Sequence, residues 1–518
     1  MAAKICLCLT GKTLRRDLQV IEKYRKYIDL AELRVDCLDP AERFNIRPFP
    51  EQAEIPVILT IRRKEDGGNW CGGESVRIIL LAKGLAFAQA DRRLNFAYVD
   101  IEEDISVPGI EEAARAFGTR IIRSFHNIHG TNSDLTAKIR GLRRFGDEIA
   151  KVSVMPNTLS DVQRLWRAAK DLHNREKILI SMGPLGISTR VLAGRIGSSF
   201  TYTSAQDELG FPKAAPGQID PQELVECYHF RSIDHKGKKG GKTEKTAVLG
   251  ITGYPLTTTD SPRLHNAMYT RDSLNAVYLP FPAAAIEDFL SLADEIGLRG
   301  ASVTVPHKET ILPHLAFASP GVRRIGACNT IVRRPDGWHG YNTDAEGFSS
   351  SLLAFIYGEE PGTTEKQRAK RNLKGKKITV VGAGGAARAI VAEIHRLKGK
   401  ALILNRTPGK ANELASRYGF RWGCLDEFGA AQTAKFNNII IQTTPIGMDG
   451  DPGDPFSLYQ FTGREIVYDI IYKPDRTPFL HRAQEAGCRV LNGYDMLVRQ
   501  AIGQHRLFFN MPEGPGSA

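Results

Sequence analysis

Over residues 1 to about 230 the chain repeats one beat, a short apolar run followed by a stretch whose apolar residues recur at helical spacing. The apolar runs at 5–9, 30–35, 57–61, 96–101, 120–125, 150–154, 178–181 and 200–203 predict eight strands. Most intervals between them read as helix, as at 159–172, where Leu165, Trp166 and Ala169 share one face. Eight strands alternating with helices in this length predict a (β/α)8 barrel. Residues 231–246 are rich in Gly and Lys and lack apolar periodicity, and they read as a short flexible linker. A second α/β region opens with a strand at 247–251. Its centre is the strand 377–381, a glycine turn and a helix at 387–397. The Gly- and Pro-rich residues 511–518 are expected to fray.

A length of 518 residues implies two or three domains, and 42% hydrophobic with 25% charged residues is the balance of a soluble globular protein. No apolar run approaches the ~20 residues needed to span a bilayer. The N-terminus enters a strand without a signal-peptide layout, and eight cysteines are scattered without paired spacing or nearby histidine clusters. Reduced thiols in a cytoplasmic protein, with no disulfide frame and no metal, are expected. The formal charge of +12 raises nucleic acid as a partner, but no recognition helix, zinc finger or aromatic–basic stripe accompanies it. Much of the excess sits in loops. Small anionic substrates and a phosphorylated cofactor explain arginine-rich pockets more economically.

Polar residues cluster where the barrel strands end, which is where barrel enzymes place their chemistry. Lys151 lies in the run Ile149-Ala150-Lys151-Val152-Ser153-Val154, one amine in a buried strand. Desolvation disfavours an ammonium, and a neutral amine is the nucleophile that imine chemistry on a ketone requires. A strand-edge lysine whose stem packs while its head reaches water is the competing reading. Glu32, Arg34 and Asp36 alternate in period two and so share a side, as a substrate-binding or a structural ion network. His126 ends another strand with an imidazole suited to proton transfer. Arg190 offers a guanidinium for a carboxylate.

Glu32-x-Arg34-x-Asp36, Thr60-Ile61-Arg62, Ser124-Phe125-His126, Lys151 before Val154-Met155-Pro156, Ser181-Met182-Gly183 with Ser188-Thr189-Arg190, and Ala215-Pro216-Gly217-Gln218 follow one another in an order that closely resembles type I 3-dehydroquinate dehydratase, over residues 4–230. The resemblance implies a Schiff base between Lys151 and the substrate ketone, with His126 as acid and base. It further implies that Arg62 and Arg190 hold the carboxylate, and that Glu32, Arg34 and Gln218 meet hydroxyls. Two positions depart from the family pattern. Asp66 stands where the family has a second acidic residue of another kind, and Ala214 stands where serine is common. One substrate hydrogen bond fewer, or its replacement by water, is expected from these, without loss of activity.

In the second region, Gly382-Ala383-Gly384-Gly385-Ala386-Ala387 matches the dinucleotide fingerprint, strand before it and helix after it. The next strand, at 401–404, ends in Asn405-Arg406-Thr407 where an NAD enzyme carries an acid, so a 2′-phosphate and NADP are expected. Thr259-Asp260-Ser261, Val303-Thr304-Val305-Pro306-His307-Lys308, Asn329-Thr330, Asn342-Thr343-Asp344, Thr443-Thr444-Pro445, Tyr472-Lys473-Pro474 and Gly493 through Gln500 together resemble shikimate dehydrogenase over 247–510. This resemblance implies Lys308 and Asp344 as the catalytic pair, and Thr259 and Ser261 on the substrate carboxylate. It places Thr304, Asn329, Tyr472 and Gln500 around the hydroxyls, and Thr444 and Gly493 at the cofactor. Thr259 stands where serine is commoner, which leaves room for altered substrate preference.

The expected organisation is a barrel at 1–230, a linker at 231–246, a substrate domain at 247–345 completed by 492–510, and a Rossmann NADP domain at 346–491. The reading is a fused enzyme that dehydrates 3-dehydroquinate and reduces the product to shikimate, using NADP(H) and no metal. Nucleic acid and membrane are not expected as partners, and a homodimer stays open. Two alternatives remain: a quinate or NAD-linked second half in catabolism, and an inactive metabolite sensor.

Overall fold

In the computed structural model, which describes residues 3–85, 94–172, 176–205, 210, 213–234, 245–256, 259–358 and 370–511, the chain forms two compact units. The first comprises Met1–Ile251 with Tyr269–Leu298, the second Thr252–Met268 with Arg299–Ala518.

The first unit contains the eight expected strands: β1 (Lys4–Leu9), β2 (Leu30–Arg34), β3 (Val57–Thr60), β4 (Tyr98–Glu102), β5 (Arg120–Asn127), β6 (Ile149–Val154), β7 (Lys177–Ser181) and β8 (Phe200–Ser204). Their order is β7-β6-β5-β4-β3-β2-β1-β8, with parallel ladders throughout. Ser199 N donates to Lys177 O at 2.7 Å and Leu179 N to Ser198 Oγ at 3.0 Å, which brings the start of β8 beside β7 and nearly closes the barrel.

One side-chain layer decides where the chemistry sits. Cys6, Leu30, Ile58, Tyr98, Ile122, Ile149, Ile178 and Phe200, one from each strand, belong to a single buried apolar cluster that fills the barrel. Two residues further along the same face of each strand come Cys8, Glu32, Thr60, Asp100, Ser124, Lys151, Ile180 and Tyr202. The polar groups are thereby raised above a plug of hydrocarbon, toward the C-terminal ends of the strands. Every strand differs from its expected bounds by one or two residues at one end or both, and two of these shifts have a local cause. β2 stops at Arg34 because Val35–Cys37 turns as a short 3-10 helix, and β5 continues through Asn127, whose carboxamide oxygen accepts the His129 and Gly130 N–H groups.

The helix Leu159–Lys170 ends two residues before its predicted limit and buries the expected face, Leu165, Trp166 and Ala169. Its first turn is fixed by Asp161, whose carboxylate accepts from Asn157 N at 2.7 Å and Thr158 N at 3.2 Å. The helix Ile286–Ile296 of the same unit lies against it: Ser160 Oγ donates to Asp288 Oδ1 at 2.6 Å, Gln163 Nε2 to the Ser291 carbonyl at 2.9 Å, and Arg167 and Lys170 pair with Glu295. Of the expected linker, residues 235–244 lie outside the described residues. Its flanks are held: Arg195 grips the Asp234 carboxylate through Nε and Nη2 at 2.8 and 2.7 Å. Asp234 N donates to Thr246 Oγ1, and Thr246 N to Asp234 Oδ1, each at 2.8 Å. The expected tail is described only at Met511.

β9 (Ala247–Gly253) lies beside β10 (Ala276–Pro282). In the second unit β11 (Gly300–Val303), β12 (Leu315–Ala318), β13 (Thr330–Arg334) and β14 (Gly337–Tyr341) run in the order β11-β13-β14-β12. The same unit holds a parallel sheet of β15 (Lys377–Val381), β16 (Lys400–Asn405), β17 (Arg421–Cys424), β18 (Ile439–Gln442), β19 (Ile466–Asp469) and β20 (Arg489–Leu491), ordered β17-β16-β15-β18-β19-β20. This is the doubly wound order, and its direction reverses between β15 and β18, the crevice where such sheets bind ligands. Among the described residues no helix is long and apolar enough to cross a membrane, and no group of three or more His, Cys, Asp or Glu could hold a metal ion. All eight cysteines are free thiols.

Candidate active sites

The barrel opens into a cavity of about 300 Å³ lined by Glu32, Arg34, Arg62, His126, Lys151, Arg190 and Gln218, so these residues singled out from the sequence reach one space, while Asp36 stays outside its lining and pairs with Arg34. Asp66 and Ala214 line it too. Lys151 is buried, and its Nζ lies 2.8 Å from Asp100 Oδ2, 3.5 Å from Glu32 Oε1 and 4.3 Å from the centroid of the Tyr202 ring. Its surroundings therefore differ from the apolar wall that the strand pattern suggested: the amine is one member of an ion network. Arg62 continues that network, with Nη2 2.8 Å from Asp100 Oδ2 and Nη1 2.8 Å from Glu102 Oε1. Glu102 in turn takes Arg77 at 2.8 Å. Burial alone would raise the Asp100 carboxyl, but the Arg62 and Lys151 charges hold it well below the usual carboxylate range.

His126 lies on β5 opposite Ser153, and Ser124 opposite Lys151, so the imidazole stands one alternation above the amine on the neighbouring strand. Burial, with the Arg62 and Lys151 cations, holds the ring well below its ordinary pKa, and its Nδ1 is buried without a partner. It is therefore neutral and able to accept a proton. Arg34 is clasped by Asp36, Nε to Oδ1 at 2.9 Å and Nη2 to Oδ2 at 2.7 Å. Arg190 differs from both other arginines. It donates only to the Tyr202 and Pro216 carbonyls, each at 3.2 Å, and its Nε has no partner. No carboxylate neutralises it among the described residues, so it is the cation best placed for an anionic ligand. Asp66 is taken by Arg63 at 2.7 Å.

Asp100 and Glu102 of β4 join the site without having been expected from the sequence, although they alternate as Glu32 and Arg34 do. Cys8 is a further unexpected member of the lining. Its thiol donates to Glu32 Oε2 and accepts from Gln218 Nε2, each at 3.2 Å.

In the second unit the structure brings Lys308, Asp344, Asn329 and Gln500 together. Lys308 Nζ lies 2.6 Å from Asp344 Oδ2. Asn329 Nδ2 donates to Asp344 Oδ1 at 2.9 Å and to Gln500 Oε1 at 3.0 Å. Thr259 Oγ1 accepts Ser261 N at 3.2 Å, and the Tyr472 hydroxyl accepts Asp260 N at 3.4 Å, so Thr259, Asp260, Ser261 and Tyr472 form a second group. Thr304 is half-buried and abuts Gly253, where a Cβ would come within 2.3 Å of its Cγ2.

The glycine turn is built for a ligand backbone. Gly382 has φ +111°, and a Cβ there would lie 2.4 Å from Thr443 Oγ1 and 3.1 Å from Thr444 Cγ2. A Cβ at Gly384 would meet nothing within 4 Å, and the helix Gly385–Arg396 begins there with no side-chain cap. Open space before an uncapped helix N-terminus fits a pyrophosphate. Ala383 and Ala386 flank the turn, and a Cβ at Gly385 would lie 3.3 Å from the Lys308 side chain. β16 ends in Asn405, whose amide caps the Thr407 carbonyl at 3.0 Å, with Arg406 exposed beside it. Gly493 has a packing role: a Cβ there would lie 1.9 Å from the Ile470 carbonyl.

Residues 5–235 match the family described as type I 3-dehydroquinase, 251–331 the shikimate dehydrogenase substrate binding domain, and 364–445 shikimate / quinate 5-dehydrogenase. The chain is similar to the bifunctional 3-dehydroquinate dehydratase/shikimate dehydrogenase of Arabidopsis thaliana, at 28% identity over 96% of this chain and 80% of that one. It is similar to the shikimate biosynthesis protein AroDE of Chlamydia pneumoniae, at 27% over 98% and 95%. It also resembles a shikimate dehydrogenase (NADP(+)) of Caldanaerobacter subterraneus, at 36% over 49% and 89%.

Proposed function

Because the chain belongs to the shikimate dehydrogenase family and carries a type I 3-dehydroquinase domain ahead of it, we propose that its two centres act at Lys151 and Lys308. The first dehydrates 3-dehydroquinate through an imine, and the second reduces 3-dehydroshikimate with NADPH. The observation that carries the first assignment is the cavity itself, which gathers a buried amine, a neutral imidazole and an arginine without a carboxylate partner.

At the barrel centre the Lys151 nitrogen bonds to the ketone carbon and water leaves, forming an iminium. Asp100, a poor proton acceptor in this setting, holds Nζ in place while neutral His126 removes the proton from the adjacent carbon. The electron pair released forms the carbon–carbon double bond as the hydroxyl departs, taking a proton from His126. Water then hydrolyses the imine and returns Lys151. Arg190 would grip the carboxylate, with Glu32, Arg34 and Gln218 at the hydroxyls. Arg62, engaged by Asp100 and Glu102, would orient Asp100 more than it holds ligand.

In the second centre Gly382, Gly384, Gly385 and the flanking alanines would hold the cofactor pyrophosphate, and Asn405, Arg406 and Thr407 its 2′-phosphate. When bound, NADPH supplies the hydride. Lys308 gives the proton at the carbonyl oxygen as it becomes a hydroxyl, and Asp344 orients Lys308. Asn329 and Gln500 fix that carboxylate, and Thr259 and Ser261 would bind the substrate carboxylate with Tyr472 beside them.

The test is incubation of the full chain with 3-dehydroquinate and NADPH, following enone absorbance and NADPH loss together. The parent makes shikimate, Lys151→Ala makes no enone, and Lys308→Ala accumulates it. Borohydride added with 3-dehydroquinate fixes ligand mass on the parent and not on Lys151→Ala. A parent that turns over neither substrate sinks the proposal.

A further inference from the structure

The helix Tyr494–Phe509 carries two glutamines one turn apart, Gln500 at the reductase centre and Gln504 beneath it. Gln504 is 2% exposed. Its Nε2 lies 3.4 Å from the Asn329 carbonyl, a group that only accepts, so the orientation of the amide is fixed. The same nitrogen donates to Thr330 Oγ1 at 3.2 Å. At the other end Oε1 accepts from Ser302 Oγ at 2.7 Å and from His265 Nε2 at 3.2 Å. Burial pushes His265 down to about 3, so the ring is neutral and donates without carrying charge.

The directions of the bonds from Thr330 to Asn329 and beyond follow. Thr330, having accepted from Gln504, gives its own proton to Asn329 Oδ1 at 2.8 Å, where Thr343 N also donates at 2.8 Å. The Asn329 NH2 is left to face Asp344 Oδ1, Gln500 Oε1 and Thr343 Oγ1, while Asp344 Oδ2 receives Lys308. A reversed Asn329 would present an oxygen to a carboxylate.

We infer that Gln504 is a positioning residue of the reductase centre, which together with the Thr343 N–H holds the orientation of the Asn329 amide and, through it, the carboxylate that holds Lys308. The inference rests on the reading of that centre as the dehydrogenase site. Gln504 acts through Thr330 and Asn329 and reaches neither Lys308 nor Asp344 directly.

Gln504→Leu and Gln504→Glu in the full chain test it. The Leu variant lowers kcat/KM for 3-dehydroshikimate reduction about 10- to 100-fold, the scale on which partners behind a ligating group act. It also weakens shikimate binding measured by calorimetry without cofactor, and leaves dehydratase activity at the parent level. The Glu variant keeps the shape. Its carboxylate can accept from Ser302 and His265 but has no proton for Thr330 until protonated. The titratable groups around it are His265 from the helix Ser261–Arg271, His505 on its own helix, and Asp344 and Lys308 beyond Asn329. Its reductase activity relative to the parent therefore rises from pH 8 to pH 6. A Glu variant that tracks the parent at every pH, or a Leu variant with parent binding and turnover, overturns the inference. A parent inactive on 3-dehydroshikimate fails the functional reading first, before any variant is compared.

Discussion

Asp17 offers a test of how burial and helix geometry compete at one carboxyl. It lies in the first turn of the helix Leu14–Tyr24, where the helix dipole favours an anion by ~0.3–1 kcal/mol. It is fully buried, however; one oxygen accepts Gly11 N at 2.9 Å and the other has no partner. Burial wins, and the carboxyl is raised to about 7. Against ~3.9 in the unfolded chain, that gap corresponds to about 4 kcal/mol. The sign follows from proton counting. Between those two values the fold keeps a proton that the unfolded chain releases, so stability is fully present below pH ~4 and falls as pH rises through 7. Linkage gives a loss of about 1.5 kcal/mol by pH 5 and about 4 by pH 8, a difference near 2.5. Asp17→Asn keeps the Gly11 bond and does not titrate. Its melting temperature relative to the parent, followed by loss of dehydratase activity on heating, should therefore gain about 5–10 °C more at pH 8 than at pH 5. An equal gain at both pH values would mean that the carboxyl is ionised and hydrated, and the reasoning would fail.

Arg190→Met should raise the dehydratase KM by about tenfold or more, the worth of a charged hydrogen bond, and leave reductase kinetics untouched; an unchanged KM refutes its role as carboxylate anchor. The lowered His126 pKa puts the acid limb of the dehydratase kcat/KM profile below the ordinary histidine value of ~6.5; a limb at or above that value contradicts the neutral imidazole. Arg406→Ser should raise the KM for NADP about tenfold while barely moving that for NAD, and equal effects on both would remove Arg406 from the 2′-phosphate.

The barrel was legible because parallel strands covered on both faces read as apolar runs, and helices betray themselves by period. Among the cavity members, Lys151 stands out as a polar interruption of such a run and His126 as the residue just after one, while Arg190, on the helix Ile187–Val191, stands out only by its motif. Their partners do not. Asp100 meets Lys151 across a barrel interior, at a separation in sequence of 51 residues, and no local pattern announces which acid faces which base. The same limit hid Gln504, which reads as an ordinary polar residue on a C-terminal helix until Asn329 and His265 come together around it. Strand ends were missed by a residue or two where a turn, as at Val35–Cys37, took over from the ladder.

The mutual bonds of Asp234 and Thr246 change what the basic segment between them can mean. The two flanks of its ten residues, 235–244, are held together at one pinch. A tether works as a ruler, and its length sets how far its ends can part; here the span is fixed whatever the length. Closure entropy grows only logarithmically, about 0.6 kcal/mol for each doubling. The segment is a port in the chain, where a tag, an inserted module or a pair of new termini could be placed with both catalytic centres left as they are.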